Sequence, residues 1–258
     1  MRYFIQLAYD GTHYSGWQVQ PNAPTVQETL NITIGKLQRR RISSMGCGRT
    51  DTGVHAKDFY MHLDLEDTLS DPEGFTFRLN GALPRDISVF RTIPVADKAH
   101  SRFDATARTY EYYIHFTRDP FLDKYSLHQG YYPLDWDLIE EATAFLKNIE
   151  DFSALCLKSE DFKTNICRID AIGWEEIPSV SYGAAARGEK QMRLTITANR
   201  FLRGMVRKIV GTLLMVGKQK ISLAEFKEVV QEKKSFRIAL SAPPHGLFLS
   251  HIQYPYPL

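Results

Sequence analysis

The stretch GCGRTDTGVHA, residues 46–56, gathers Cys47, Arg49, Asp51 and His55 among three glycines and almost no apolar mass. Glycines permit turns that other residues resist and let a bulky ligand approach the backbone. The stretch therefore reads as a loop with Asp51 facing a cleft. A carboxylate there can be a nucleophile, a general base, a metal ligand or the acceptor of an Asx turn. Metal binding would draw on Asp51, His55 and His62, but Arg49 opposes a cation and no second carboxylate lies at short spacing. Phosphate cradling is weakly supported, since the segment is not GxxxxGK[ST]. Cys47 has no visible base to activate it.

The elements that position this loop follow from periodicity. Residues 2–9, RYFIQLAY, read as a strand, and PTVQETLNITIGKLQ as a helix with Thr25 and Glu28 as a capping box. DFYMHLDL, 58–65, alternates: Phe59, Met61, Leu63 and Leu65 on one face, Tyr60, His62 and Asp64 on the other, a half-buried strand. A helix near 74–82 and a strand at 87–92 complete the first half. In the second half, TARTYEYYIHF is a long aromatic strand in which Tyr110 and Tyr112 share a face and Tyr113 opposes them. DWDLIEEATAFLKNI follows as a helix capped by Asp135, with Leu138, Ala142 and Phe145 on one face. Strands near 165–176 and 191–198 are joined by the polar hairpin loop SVSYGAAARGEK. Residues 201–216 form an amphipathic helix through Leu202, Met205, Val206, Ile209, Leu213 and Leu214. Arg203, Arg207 and Gly211 line its edge. SLAEFKEVVQE is a helix, and a strand near 247–254 closes the chain.

Adjacent strands mixed with helices favour an α+β class over a doubly wound sheet. The extended connection at 93–106 is the expected boundary between a half at 1–104 carrying the Asp51 loop and a half at 105–258. The 258 residues are 43% hydrophobic and 24% charged, ordinary for a globular protein. No apolar run spans a bilayer, no signal peptide is visible, and three cysteines without CxxC spacing point to a reducing cytoplasm. Net charge is only +2, but Lys36, Arg39, Arg40 and Arg41 cluster, as do Arg200, Arg203, Arg207, Lys208, Lys218 and Lys220. Such patches suit an anionic ligand held at defined places.

GRTDTGVHA closely resembles the signature of the tRNA pseudouridine synthase A (TruA) family, GRTD, a variable residue, then GVHA. YDGTHYSGWQVQP (9–21), LNGALPRDISV (79–89), SRFDATARTYEYYI (101–114), FLRGMVRKIVG (201–211) and APPHGLFL (242–249) resemble further family segments in the same order. The resemblance implies two ferredoxin-like halves whose sheets join into one extended, mostly antiparallel sheet, with helices on one face and a basic cleft between halves. It implies isomerisation of uridine to pseudouridine at positions 38–40 of the tRNA anticodon stem-loop. No small-molecule cofactor, metal or membrane is implied, and relatives act as homodimers. Asp51 would be the catalytic carboxylate, attacking ribose C1′ or removing the C2′ proton. Both routes need it ionised, hence a fixed cation, and Arg207 matches the family's equivalent across the cleft. Tyr110 would stack on the uracil or relay its C5 proton, and Arg49 would assist extrusion of the nucleotide. Two rivals remain at this point: a non-catalytic tRNA-binding or folding module on the same scaffold, and a metal-dependent nuclease.

Overall fold

The computed structural model describes residues 1–130, 132–157, 164–237 and 240–258. The chain folds as two compact units, Met1–Arg108 with Phe248–Leu258, and Thr109–Leu247. It is α+β, with six helices and nine mostly antiparallel strands among the described residues.

In the first unit, β1 (Arg2–Tyr9) pairs antiparallel with β3 (His55–Asp64) and with β4 (Ile87–Val95). The short β2 (Ser44–Gly46) lies antiparallel on β3. β9 (Leu247–Gln253) joins β3 in parallel, with His55 opposite Phe248. Helix α1 (Val26–Gln38) starts at the expected Thr25, whose Oγ1 accepts from the Glu28 amide, and ends at Arg39 in the left-handed region. α2 (Pro72–Ala82) is capped by Asp71, and Pro72 suits a first turn whose amides have no intrahelical partner.

β3 is not half-buried. Tyr60 and His62 are buried along with Phe59, Met61 and Leu63. Tyr60 meets Tyr254 edge-on at 5.3 Å, and His62 meets His100 at 4.6 Å. Chain from both 98–104 and the C-terminus covers the face that alternation alone assigns to solvent.

The second unit holds β5 (Ala107–His115, from Thr109 on), β8 (Lys190–Ala198) and β7 (Ile169–Pro178) in that order, with β6 (Leu127–His128) parallel to β5. α3 (Trp136–Leu146) is capped by Asp135, as expected, but buries Ile139, Ala142, Thr143 and Leu146. Its buried stripe is therefore rotated by one residue from Leu138 and Phe145. The 179–190 connection is not a plain loop. Tyr182–Ala186 form one short helix, α4, consistent with the helix propensity of its alanines. α5 (Met205–Gly217) buries Met205, Val206, Ile209, Leu213 and Leu214, but it begins after Gly204, whose φ of 66° breaks the helix, so the expected Leu202 is buried outside it. Arg203 consequently stands outside the helix, and only Arg207 and Gly211 of the expected stripe belong to it. α6 (Leu223–Gln231) is capped by Ser222. No helix among the described residues is long and apolar enough to cross a membrane.

Candidate active site

The Asp51 loop is held mainly by backbone. Trp17 N donates to Thr50 O at 3.2 Å, Gly53 N to Tyr14 O at 3.3 Å, and Val54 N closes a turn on Asp51 O at 3.1 Å. Below it, the Tyr9 hydroxyl and Thr50 Oγ1 are 2.8 Å apart and buried. The YDGTHYSGW segment is thus a cradle that meets the loop closely at Gly11, where a Cβ would overlap the carbonyl oxygen of Val54, and again at Gly16. Its φ is +88°, and a Cβ there would overlap the carbonyl oxygen of Thr50. Neither feature tolerates a side chain.

Burial divides the loop by task. Cys47, Thr50, Val54, His55 and Ala56 are buried, Asp51 and Gly53 are partly exposed, and Arg49 and Thr52 are exposed. The inward residues anchor; Arg49 and Asp51, two apart, reach outward. His55 is a hydrogen-bonding residue at the start of β3. Its Nδ1 accepts from Gly11 N at 3.0 Å, Asp10 Oδ1 stands 3.0 Å away, and its ring stacks on Phe248 at 4.6 Å. Cys47 Sγ accepts from Tyr60 N, and full burial pushes its thiol up to about 12, the wrong direction for a nucleophile at neutral pH. Among the described residues no group of three or more His, Cys, Asp or Glu side chains is arranged to hold a metal.

Arg108 is a residue that sequence patterning did not single out. Its Nη2 donates to Cys47 O at 2.9 Å and to Arg102 O at 2.7 Å, and its Nε also reaches Cys47 O at 3.3 Å. One guanidinium therefore clamps the entry to the Asp51 loop against the 100–104 segment. A lone Arg on a strand carries no periodic signal, so only its place in the SRFDATAR motif could have flagged it.

In the second unit, Tyr110 on β5 is buried and meets the Phe201 ring edge-on at 5.0 Å. Tyr112, on the same strand face, is fully buried. Its hydroxyl donates to Pro243 O at 2.9 Å, and burial raises it above the ordinary phenol range, with the Arg207 charge opposing that rise. Arg207 is partly buried on α5. Its Nε donates to Ala242 O at 2.7 Å while its own carbonyl accepts from Ala242 N at 2.9 Å. The APPHG segment thus braces both Arg207 and Tyr112. Within the two basic clusters, Arg40 pairs with Glu66 at 3.1 Å, Lys208 Nζ donates to Cys156 O, and Arg200 to Thr164 O.

Each unit therefore carries part of the expected set: Arg49 and Asp51 on one pinned loop, Tyr110 and Arg207 on a strand and a helix. Comparison with known proteins bears on what that set does. A family model described as tRNA pseudouridine synthase matches residues 6–104 and 149–255. A tRNA pseudouridine synthase A of Porphyromonas gingivalis is 44% identical over 255 residues, covering 98% of this chain and 97% of its own. That of Bacteroides fragilis is 42% identical over 254 residues, covering 98% and 96%, and that of Clostridium acetobutylicum 34% over 251, covering 97% and 98%. Similarity of this extent, carried through both units, makes the chain a member of the tRNA pseudouridine synthase family.

Proposed function

We propose that this chain isomerises uridine to pseudouridine at positions 38–40 of the tRNA anticodon stem-loop, with Asp51 as the essential carboxylate. The observation that carries the reading is the state of Asp51, a partly exposed acid on a loop whose neighbours Thr50, Val54 and His55 are buried and bonded. A fixed carboxylate open to a ligand is what chemistry at a ribose carbon needs.

The reaction balances without any added reagent. The N1–C1′ bond of uridine breaks, the base turns, C5 bonds to C1′, the C5 proton leaves and N1 gains one. Asp51 acts at the sugar, by attack on C1′ or removal of the C2′ proton. Arg207 supplies a positive charge to the bound substrate. Tyr110 holds the detached base or relays its C5 proton. A stacked uridine must first leave its helix, at a cost of a few kcal/mol, and the outward-reaching Arg49 serves that step. Exposed Arg39 and Arg41 and the basic residues at 200–220 hold the RNA backbone, so binding weakens with salt. The protein acts in the cytoplasm as a homodimer, with no cofactor.

The test is Asp51→Ala. Pseudouridine formation on tRNA transcripts falls by roughly 10⁴-fold or more, while tRNA affinity stays near wild type. A variant that still modifies tRNA, or wild-type protein that only binds it, defeats the catalytic assignment in favour of a binding module.

A further inference from the structure

An exposed ring in the first unit is mounted more firmly than a surface residue requires. Phe103 is 75% exposed. Single exposed apolar residues are common and need no explanation; the mount beneath this one does. Ser101 N donates to His62 Nδ1 at 3.2 Å, and Ser101 Oγ to Met45 O at 2.9 Å. The Tyr254 hydroxyl donates to Ser101 O at 2.6 Å, and that of Tyr256 to Asp104 Oδ2 at 2.7 Å. The amides of Arg102 and Phe103 both donate to His100 Nδ1 at 3.1 Å. Arg108 completes the set through Arg102 O.

Rings continue this order from the interior outward. Phe4 stacks on His62 at 6.1 Å, His62 meets His100 at 4.6 Å, and His100 stacks on Phe103 at 4.2 Å and 29°. The column starts at a fully buried Phe4 and ends at an open aromatic ring. Arg102 holds its guanidinium over the face of that last ring, 5.7 Å from its centre. A rigid π-surface with an adjoining cation is the form of a base-stacking platform, because every base offers a π-face and its neighbouring phosphate a negative charge. The same Arg108 nitrogen that holds Arg102 O also holds Cys47 O at the entry to the Asp51 loop. Platform and loop are therefore fixed to one another within the unit.

We propose that Phe103 is a stacking platform for a base of the bound tRNA, with Arg102 engaging the adjoining phosphate. It is a binding residue and not a catalytic one, and the proposal rests on tRNA being the substrate. Steady-state kinetics on one tRNA transcript separate the possibilities, using Phe103→Ala, Phe103→Leu and Phe103→Trp. The expected result is KM raised about tenfold in the Ala and Leu variants and restored by Trp, with kcat unchanged. An Ala variant with wild-type KM overturns the proposal. So does a Leu variant that behaves as wild type, which would reduce the ring to apolar cover. Sedimentation at assay concentration supplies a third check: a Phe103→Ala variant of lower oligomeric mass assigns the ring to a subunit contact and overturns it too. Wild-type protein that makes no pseudouridine sinks the isomerase reading alone. The platform is then judged on tRNA affinity, which the Ala variant must lower about tenfold for the proposal to stand.

Discussion

Asp51 and Arg207 are held in opposite ways. Asp51 sits on a glycine-rich loop with no regular element of its own, fixed by amide bonds from Trp17, Gly53 and Val54 and by the Tyr9–Thr50 contact. Arg207 sits on α5, a helix that buries Met205, Val206, Ile209, Leu213 and Leu214, and its Nε donates to Ala242 O. The acid thus depends on backbone fit with a segment some 35 residues earlier in the chain, whereas the cation depends on core packing. Backbone fit is intolerant of any added atom at the contact, while a packed helix can redistribute strain among many side chains.

The sharpest way to break this contrast is Gly16→Ala. The added Cβ would overlap Thr50 O in a left-handed conformation that costs about 1–2 kcal/mol for a residue with a side chain. The loop must move, and a shift near 1 Å at a reacting group costs about a hundredfold in rate. We expect kcat to drop by at least that factor while tRNA affinity changes little. Gly48→Ala is the comparator, since a Cβ there meets nothing within 4 Å. If it proves equally harmful, loop flexibility and not the cradle is what matters. A smaller effect is expected at the α5 counterpart, Gly211→Ala. Alanine gains about 1 kcal/mol of helix propensity, but its Cβ would overlap Leu240 O. Overpacking of this kind costs roughly 1–3 kcal/mol. Because the displaced segment carries the Ala242 oxygen that receives Arg207, kcat should also fall, by about tenfold. Urea denaturation together with kinetics on the same sample would check both. Greater loss of activity at Gly211 than at Gly16 would reverse the contrast.

The sequence was legible where local chemistry speaks for itself. Charged residues among glycines marked the Asp51 loop, Thr25 and Asp135 marked helix starts, and the 3.6-residue period marked α5. It was not legible where distant chain decides. The alternation of β3 predicts one wet face, and nothing in that strand announces that Tyr254 and the 98–104 segment cover it. Phe248–Leu258 pack with the first unit, though no local pattern says so. Arg108 and Gly16 are single residues whose partners lie 61 and 34 positions away, beyond the reach of any periodicity. Arg203 looked helical because its spacing to Arg207 is right, but the positive φ of Gly204 overrides spacing.

The covered face of β3 has a consequence in acid that the second unit shares only in part. Burial lowers His62 to about 4, and in the second unit His115 is also lowered by burial, with Asp123 3.2 Å from its Nε2 opposing the shift. A histidine whose folded value lies below its unfolded one favours the folded state fully above about 6.5 and loses that contribution as pH falls toward the folded value. For His62 the window runs from about 6.5 down to about 4. Protonation would put a hydrogen on the Nδ1 that accepts from Ser101 N, so that bond under the Phe103 mount is replaced by donation to Ser101 Oγ, 2.8 Å away. Urea midpoints measured through this window should fall as pH falls, and His62→Gln should flatten the slope at the expense of some stability at pH 7. A slope unchanged in His62→Gln but removed in His115→Gln would move the acid-sensitive contact to the second unit.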